Sequence, residues 1–162
     1  MTGDKTMKRL LMTFFVMMCV AAAAAVKPAN SQTITLKPGW NLVTLERPVV
    51  DTDMAKFLLL KPMTLDATGK CYVRCMEKAD IKIGAGYWIH SDTEQAVELV
   101  TDKDKTSWET ATLTNGWNLI GVADNSTWQS QAAVIWQWKD GRYQRVSPAE
   151  LTAGVAYMVK PL

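Results

Sequence analysis

The sequence predicts a mainly β protein with short helices, α+β in its broadest reading. Two internal repeats are expected to pack as one pseudo-symmetric sandwich- or barrel-like domain. Three observations carry this. Thr35-Leu36-Lys37-Pro38-Gly39-Trp40-Asn41-Leu42 recurs as Thr112-Leu113-Thr114-Asn115-Gly116-Trp117-Asn118-Leu119, identical at six of eight positions. Further on, Gly84-Ala85-Gly86-Tyr87-Trp88-Ile89 is answered by Gly154-Val155-Ala156-Tyr157-Met158-Val159. Between these, Gly69-Lys70 and Gly141-Arg142 occupy equivalent turns. Three matched segments in one order are the mark of a repeat architecture.

The chain opens differently. Lys5, Lys8 and Arg9 precede an uncharged run from Leu10 to Val26 that ends in five alanines, Ala21 to Ala25. Positive residues, then an apolar stretch, then small residues is the layout of a secretory signal peptide. Residues 1–31 are therefore read as the signal, with cleavage before Gln32 favoured over cleavage before Val26. The alternative is an uncleaved anchor, but 17 residues sit at the lower limit for spanning a bilayer, which takes about 20. No membrane span is expected after cleavage.

From Gln32 onward lies one β-rich domain, with repeats at about 33–100 and 109–162. In each copy, alternating residues such as Ile34 and Leu36 predict a strand, and Trp40 and Leu42 continue its face after a turn. That turn has Pro38-Gly39 in one copy and Asn115-Gly116 in the other. Proline cannot adopt positive φ, so both copies fit a type II corner with glycine second. Asp51 to Leu60 then places Met54, Phe57 and Leu58 on one helical face, stopped by Pro62. In the second copy, Ser126 and Gln129 have capping-box spacing ahead of Ala132 and Ala133, which predicts a second helix. A strand, a glycine turn and another strand follow, before closing strands at Tyr87–Ile89 and Tyr157–Val159. The polar stretch from Thr101 to Ser107 is read as the connection between copies.

These motifs resemble the Gly-Trp-Asn-Leu repeat modules of secreted and surface-attached bacterial proteins, over about Thr33 to Leu162. The resemblance implies a β-rich extracytoplasmic module, often appended to larger surface or degradative proteins. It carries over no catalytic residue, and the second copy departs from it at Met158, where the first has Trp88.

Charge and composition remove several functions. The whole chain is +2, yet from Gln32 onward it carries 14 basic and 15 acidic residues. A nucleic-acid partner requires a basic field, so none is expected. The single histidine, His90, argues against histidine-rich metal sites, and no metal or cofactor is expected. Gly84-Ala85-Gly86 leads into a β-prone segment, unlike a phosphate cradle, which opens a helix. Carboxylates such as Glu94, Glu98, Asp102 and Glu109 could form a glycosidase pair only if folding brought them together.

A repeat separates framework from recognition. Residues in both copies (Trp40/Trp117, Asn41/Asn118, Gly84/Gly154, Tyr87/Tyr157) are read as framework, the tryptophans as core. Trp108, Trp128, Trp136 and Trp138 occur in or near the second copy alone. Trp136 and Trp138 share a strand face, and Tyr143 lies across the Asp140-Gly141 turn from them. Trp136, Trp138, Tyr143 and Trp128 are the candidate ligand-binding residues, with the core as the competing fate of that face. Cys71 and Cys75 are the cysteines beyond the signal. An oxidising compartment favours a disulfide between them, whereas one extended strand would hold them roughly 13 Å apart.

The function expected is that of an exported, non-enzymatic binding or adhesion module at the cell surface, in the periplasm or outside the cell. Its partner would be a glycan or a protein outside the cytoplasm. Two alternatives stand beside it: a small extracytoplasmic enzyme using carboxylates or a Cys71/Cys75 redox pair, and a purely structural surface subunit.

Overall fold

The computed structural model describes residues 30–102, 104, 110–123 and 127–162. Residues 1–29 of the expected signal segment, Cys19 among them, lie outside these, as do Trp108, Glu109 and Ser126; its last two residues, Asn30 and Ser31, are described, and Ser31 begins the first strand. Among the described residues the fold is mainly β, with one α-helix, short 3-10 turns and three sheets in a sandwich-like, unclosed arrangement.

The order is β1 (Ser31–Leu36), β2 (Gly39–Thr44), α1 (Asp51–Leu59), β3 (Met63–Leu65), β4 (Tyr72–Arg74), β5 (Gly86–Ser91) and β6 (Gln95–Val100). Then follow β7 (Asn118–Gly121), β8 (Ala132–Lys139), β9 (Arg142–Arg145) and β10 (Ala156–Pro161). The first four-stranded sheet runs β2-β5-β3-β4 and the second β7-β10-β8-β9, every described pairing in them antiparallel. Both sheets thus take their strands in the order first, fourth, second, third. Register agrees as well: Asn41 pairs Ile89 and Leu42 pairs Trp88, while Asn118 pairs Val159 and Leu119 pairs Met158.

The turn before each tryptophan has a local cause. Gly39 and Gly116 sit at φ +95° and +97°, the region that the second position of a type II corner requires. Asn41 fastens its corner by donating Nδ2 to the carbonyls of Lys37 (2.8 Å) and Gly39 (3.0 Å), while its Oδ1 accepts the Lys37 N–H (2.9 Å). Asn118 repeats this on Thr114 and Gly116. The side chain satisfies backbone groups that the bend removes from the ladder.

Two expectations need correction. β1 does not continue into the first sheet after the turn; it leaves to pair with β6 in a two-stranded ribbon. Its alternation buries Ile34 and Leu36 against α1 and the outer face of the first sheet, together with Val43, Phe57, Tyr87 and Ile89. The second copy's helix is only a 3-10 turn at Trp128–Gln131, and Ala132 and Ala133 begin β8. With Ala132 already paired to Pro161 in the sheet, a helix has no room to continue.

α1 spans the expected residues, with Met54 and Phe57 buried. Asp53 lies in its first turn, favoured by the helix dipole; its carboxylate accepts the Val100 N–H (2.7 Å) and pairs with Lys56 (2.7 Å). These bonds tie the helix to β6 and hold the Asp53 carboxyl below the usual range.

The sheets face each other across a core of Leu42, Trp88, Leu119 and Ala156, which draws on both. Close approach requires small residues here. A Cβ on Gly86 would lie 2.7 Å from Leu119 Cγ and 2.9 Å from the Ala156 Cβ, and one on Gly121 would collide with Thr44. Gly86 matches Ala156 in the repeat and Gly121 matches Thr44, so matched positions meet each other. Bridges between the sheets are reciprocal too, Val43 with Val155 and Ala85 with Ile120. The second sheet's other face packs Ile120, Trp128, Ile135, Tyr157 and Val159.

Candidate functional site

Where the facing sheets diverge, they leave several cavities; one of about 430 Å³ is lined in part by Asp66, Cys75, Asp80 and Lys82, and two others are grooves walled mainly by aromatic rings. The first of these grooves, of about 410 Å³, is lined by Trp40, Met63, Tyr72, Trp88, Trp138 and Tyr143. Strand alternation explains this. Trp40 lies on the same face as Leu42, but at the strand's start, where the opposite sheet no longer covers it. Trp88 pairs with Leu42 and Met63 in adjacent strands, and Trp138 pairs with Tyr143 across the β8–β9 hairpin.

The rings meet edge to face. Centroids lie 6.2 Å apart for Trp40–Trp88, 5.1 Å for Trp88–Trp138 and 5.2 Å for Trp138–Tyr143, with interplanar angles of 73–89°. Such pairs are worth about 0.5–1.5 kcal/mol each beyond burial, which fixes the ring walls before any ligand arrives. Trp138 also donates its indole N–H to the Trp40 carbonyl (3.0 Å), fastening one sheet to the other at the groove. His90 packs against the far side of Trp40, 5.1 Å between centroids.

The second groove, of about 540 Å³, is walled by Trp117, Trp136, Met158, Tyr143, Leu65 and Tyr72, with Lys70 at its edge. Tyr72 and Tyr143 border both grooves and stand between them. Burial and the adjacent Tyr72 hydroxyl push the Tyr143 phenol above its ordinary value, so it remains a neutral donor and acceptor. Among the described residues no carboxylate lines either groove.

The sequence-derived candidates divide. Trp136, Trp138 and Tyr143 all reach the cleft, but Trp138 faces the first groove, Trp136 the second, and Tyr143 both. Trp128 is a correction: it is 4% exposed, lies beside Tyr157 in the core, and donates its indole N–H to the Gly121 carbonyl (2.8 Å). A buried indole has no face to offer. Trp40 and Trp117 correct the framework rule in the opposite sense, being 50% and 42% exposed on the groove walls. Tyr72, Trp88 and Met63 were missed; the signal available was the matched place of Met63 and Trp136, and of Tyr72 and Tyr143, in paired strands.

Cys71 and Cys75 flank β4 as free thiols, the first exposed and the second buried. Burial, with Asp80 nearby, pushes the Cys75 thiol up to about 11. Glu94, Glu98 and Asp102 lie before, on and after β6, away from the groove walls. His90 and Asp92 approach to 3.6 Å on an exposed strand end. Among the described residues no helix is long and apolar enough to cross a membrane.

No family model, curated protein or solved structure matches this chain.

Proposed function

We propose that this is an exported, non-enzymatic binding module whose aromatic cleft holds a glycan outside the cytoplasm, and that the cleft arose by duplication of one strand–hairpin–strand unit. The single observation that supports the glycan reading is the first groove, about 410 Å³ in volume and lined by rings in edge-to-face contact, with Trp40 and Tyr72 half-exposed to solvent. A pyranose ring presents C–H groups on its faces and hydroxyls at its rim. The electron-rich face of an indole attracts those C–H groups, while the Tyr72 and Tyr143 hydroxyls suit the rim. Half-exposed tryptophans on a groove are costly ornaments for a purely structural subunit, since contiguous exposed apolar surface generally marks a binding site. An enzyme would need an acid, base or nucleophile at the groove, and the side chains that line it are aromatic, thioether and aliphatic, with Lys70 at the margin.

The common origin rests on the shared strand order, the shared register and the reciprocal bridges between the sheets.

The test is titration of the intact protein with a panel of neutral and acidic oligosaccharides, read by tryptophan fluorescence. Binding should shift the emission, and Trp40→Ala, at an exposed position, should weaken it by about 5- to 100-fold, the range for losing one stacking ring. Silence across the whole panel, or full affinity in Trp40→Ala, removes the reading.

A further inference from the structure

Resting on the glycan reading, we infer that the cleft is a two-subsite channel for a linear acidic glycan, one sugar stacked in each groove with Tyr72 and Tyr143 between them. Two observations carry this beyond a generic aromatic site.

The first is the joined geometry. The grooves are not independent pockets: both are bounded by Tyr72 and Tyr143, and each draws residues from both sheets. A ligand that fills one and continues past the tyrosines enters the other. A free monosaccharide would occupy half of the prepared surface.

The second is charge. The two hairpins that border the cleft, residues 63–75 and 132–146, carry Lys70, Arg74, Lys139, Arg142 and Arg145 against two carboxylates, Asp66 and Asp140. Asp66 is engaged by Thr68 and by the N–H groups of Lys70 and Cys71, which hold its carboxyl below the usual range. Arg74 shares the strand face of Tyr72, and Arg145 that of Tyr143, whereas Lys139 and Arg142 pair with each other on the opposite face of the β8–β9 hairpin. Lys70, Arg74 and Arg145 are exposed, and none is ion-paired among the described residues. From Gln32 onward the chain carries one more acidic than basic residue, so this rim stands out from the rest.

Flat apolar faces with carboxylates at regular intervals are the chemistry of a uronic-acid polymer. A proline-rich peptide has the faces without the charge. An acidic peptide has the charge without the faces. Single-stranded nucleic acid has both, but its one charge per nucleotide demands a denser basic field than three side chains at the rim.

The experiment uses the intact protein with the uronic acids of galacturonan, alginate and hyaluronan as single sugars and with the same series as six-sugar oligosaccharides, each beside its carboxyl-reduced neutral form. Hexathymidylate serves as the nucleic-acid control. For at least one acidic series the six-sugar ligand should bind about tenfold or more tighter than the single sugar. Trp117→Ala should remove that advantage while sparing the single-sugar affinity. Carboxyl reduction should weaken binding several-fold, as should raising the salt, because rim charges are screened. The combined Lys70→Gln, Arg74→Gln and Arg145→Gln variant should abolish the preference for the acidic form.

Equal affinity for one and six sugars, with Trp117→Ala silent, overturns the two-subsite channel. Equal binding of acidic and reduced forms overturns the acidic specificity. Either result leaves the glycan reading standing if Trp40→Ala still weakens binding. Tighter binding of hexathymidylate than of any glycan overturns both and points to nucleic acid, and an absence of binding throughout overturns both as well.

Discussion

Replacing Gly86 with alanine places one methyl group where the two sheets touch. The new carbon would lie 2.7 Å from Leu119 Cγ and 2.9 Å from the Ala156 Cβ, whereas carbon atoms rest at about 3.5–4.0 Å. The sheets must therefore separate by roughly 1 Å at that point. Ala156 is 0% exposed and its Cβ is fixed to the backbone, so rotamer changes relieve only the Leu119 side. Overpacking of this kind costs about 1–3 kcal/mol. We expect about 2 kcal/mol, a fall of roughly 6–10 °C in Tm for a chain of this size. Urea unfolding of Gly86→Ala, Leu119→Ala and the double variant measures it. Leu119→Ala alone should cost about 2–4 kcal/mol through the cavity it leaves. In the double variant the new methyl enters that cavity, so the sum should fall short of additivity by more than about 1 kcal/mol. A Gly86→Ala protein within about 0.5 kcal/mol of wild type, or strict additivity, would refute the packing of one sheet on the other.

Three further outcomes follow from local chemistry. Asn118→Ala strips the second corner of its bonds to Thr114 and Gly116 and should lower stability by about 1–3 kcal/mol, measurable by thermal melts; an unchanged melt would contradict the corner's design. Asp53 has its native pKa depressed, chiefly by Lys56 and then by the Val100 N–H. Its contribution is therefore complete above the ordinary carboxylate pKa and is lost as pH falls through the lower native value. Asp53→Asn should flatten that acid limb of the stability curve, and an identical slope in both proteins would count against it. Thiol labelling of the folded protein near pH 8 should modify the exposed Cys71 rapidly and Cys75 only on unfolding, since burial raises the latter to about 11; equal rates would contradict the burial.

Much of the architecture was legible because the repeat is written in residues whose backbone demands are unusual. The Gly-Trp-Asn segments mark two identical corners because glycine takes the positive φ and asparagine saturates the bend. The β1–β6 ribbon was not legible: nothing in the alternation of Ile34 and Leu36 distinguishes a strand that continues a sheet from one that leaves it. The shortened helix failed for a related reason, since Ala132 is decided by pairing with Pro161 of β10 rather than by local preference. That Trp136, Trp138 and Tyr143 lie on one sheet face was readable from strand alternation. The framework rule misplaced Trp40 and Trp117, because a residue can serve both copies alike and still stand where the facing sheet ends. Trp128 shows the opposite error. Its occurrence in one copy alone reflects a locally different core, in which its indole caps the Gly121 carbonyl.

The central claim, that the aromatic cleft is the binding surface, is tested most directly by the indole N–H resonances of the tryptophans during titration with an oligosaccharide that binds. Those of Trp40, Trp88, Trp117, Trp136 and Trp138 should move, while that of Trp128, bonded inside the core, should stay in place. Movement confined to Trp128, or saturation by ligand with the cleft indoles unmoved, would contradict the account.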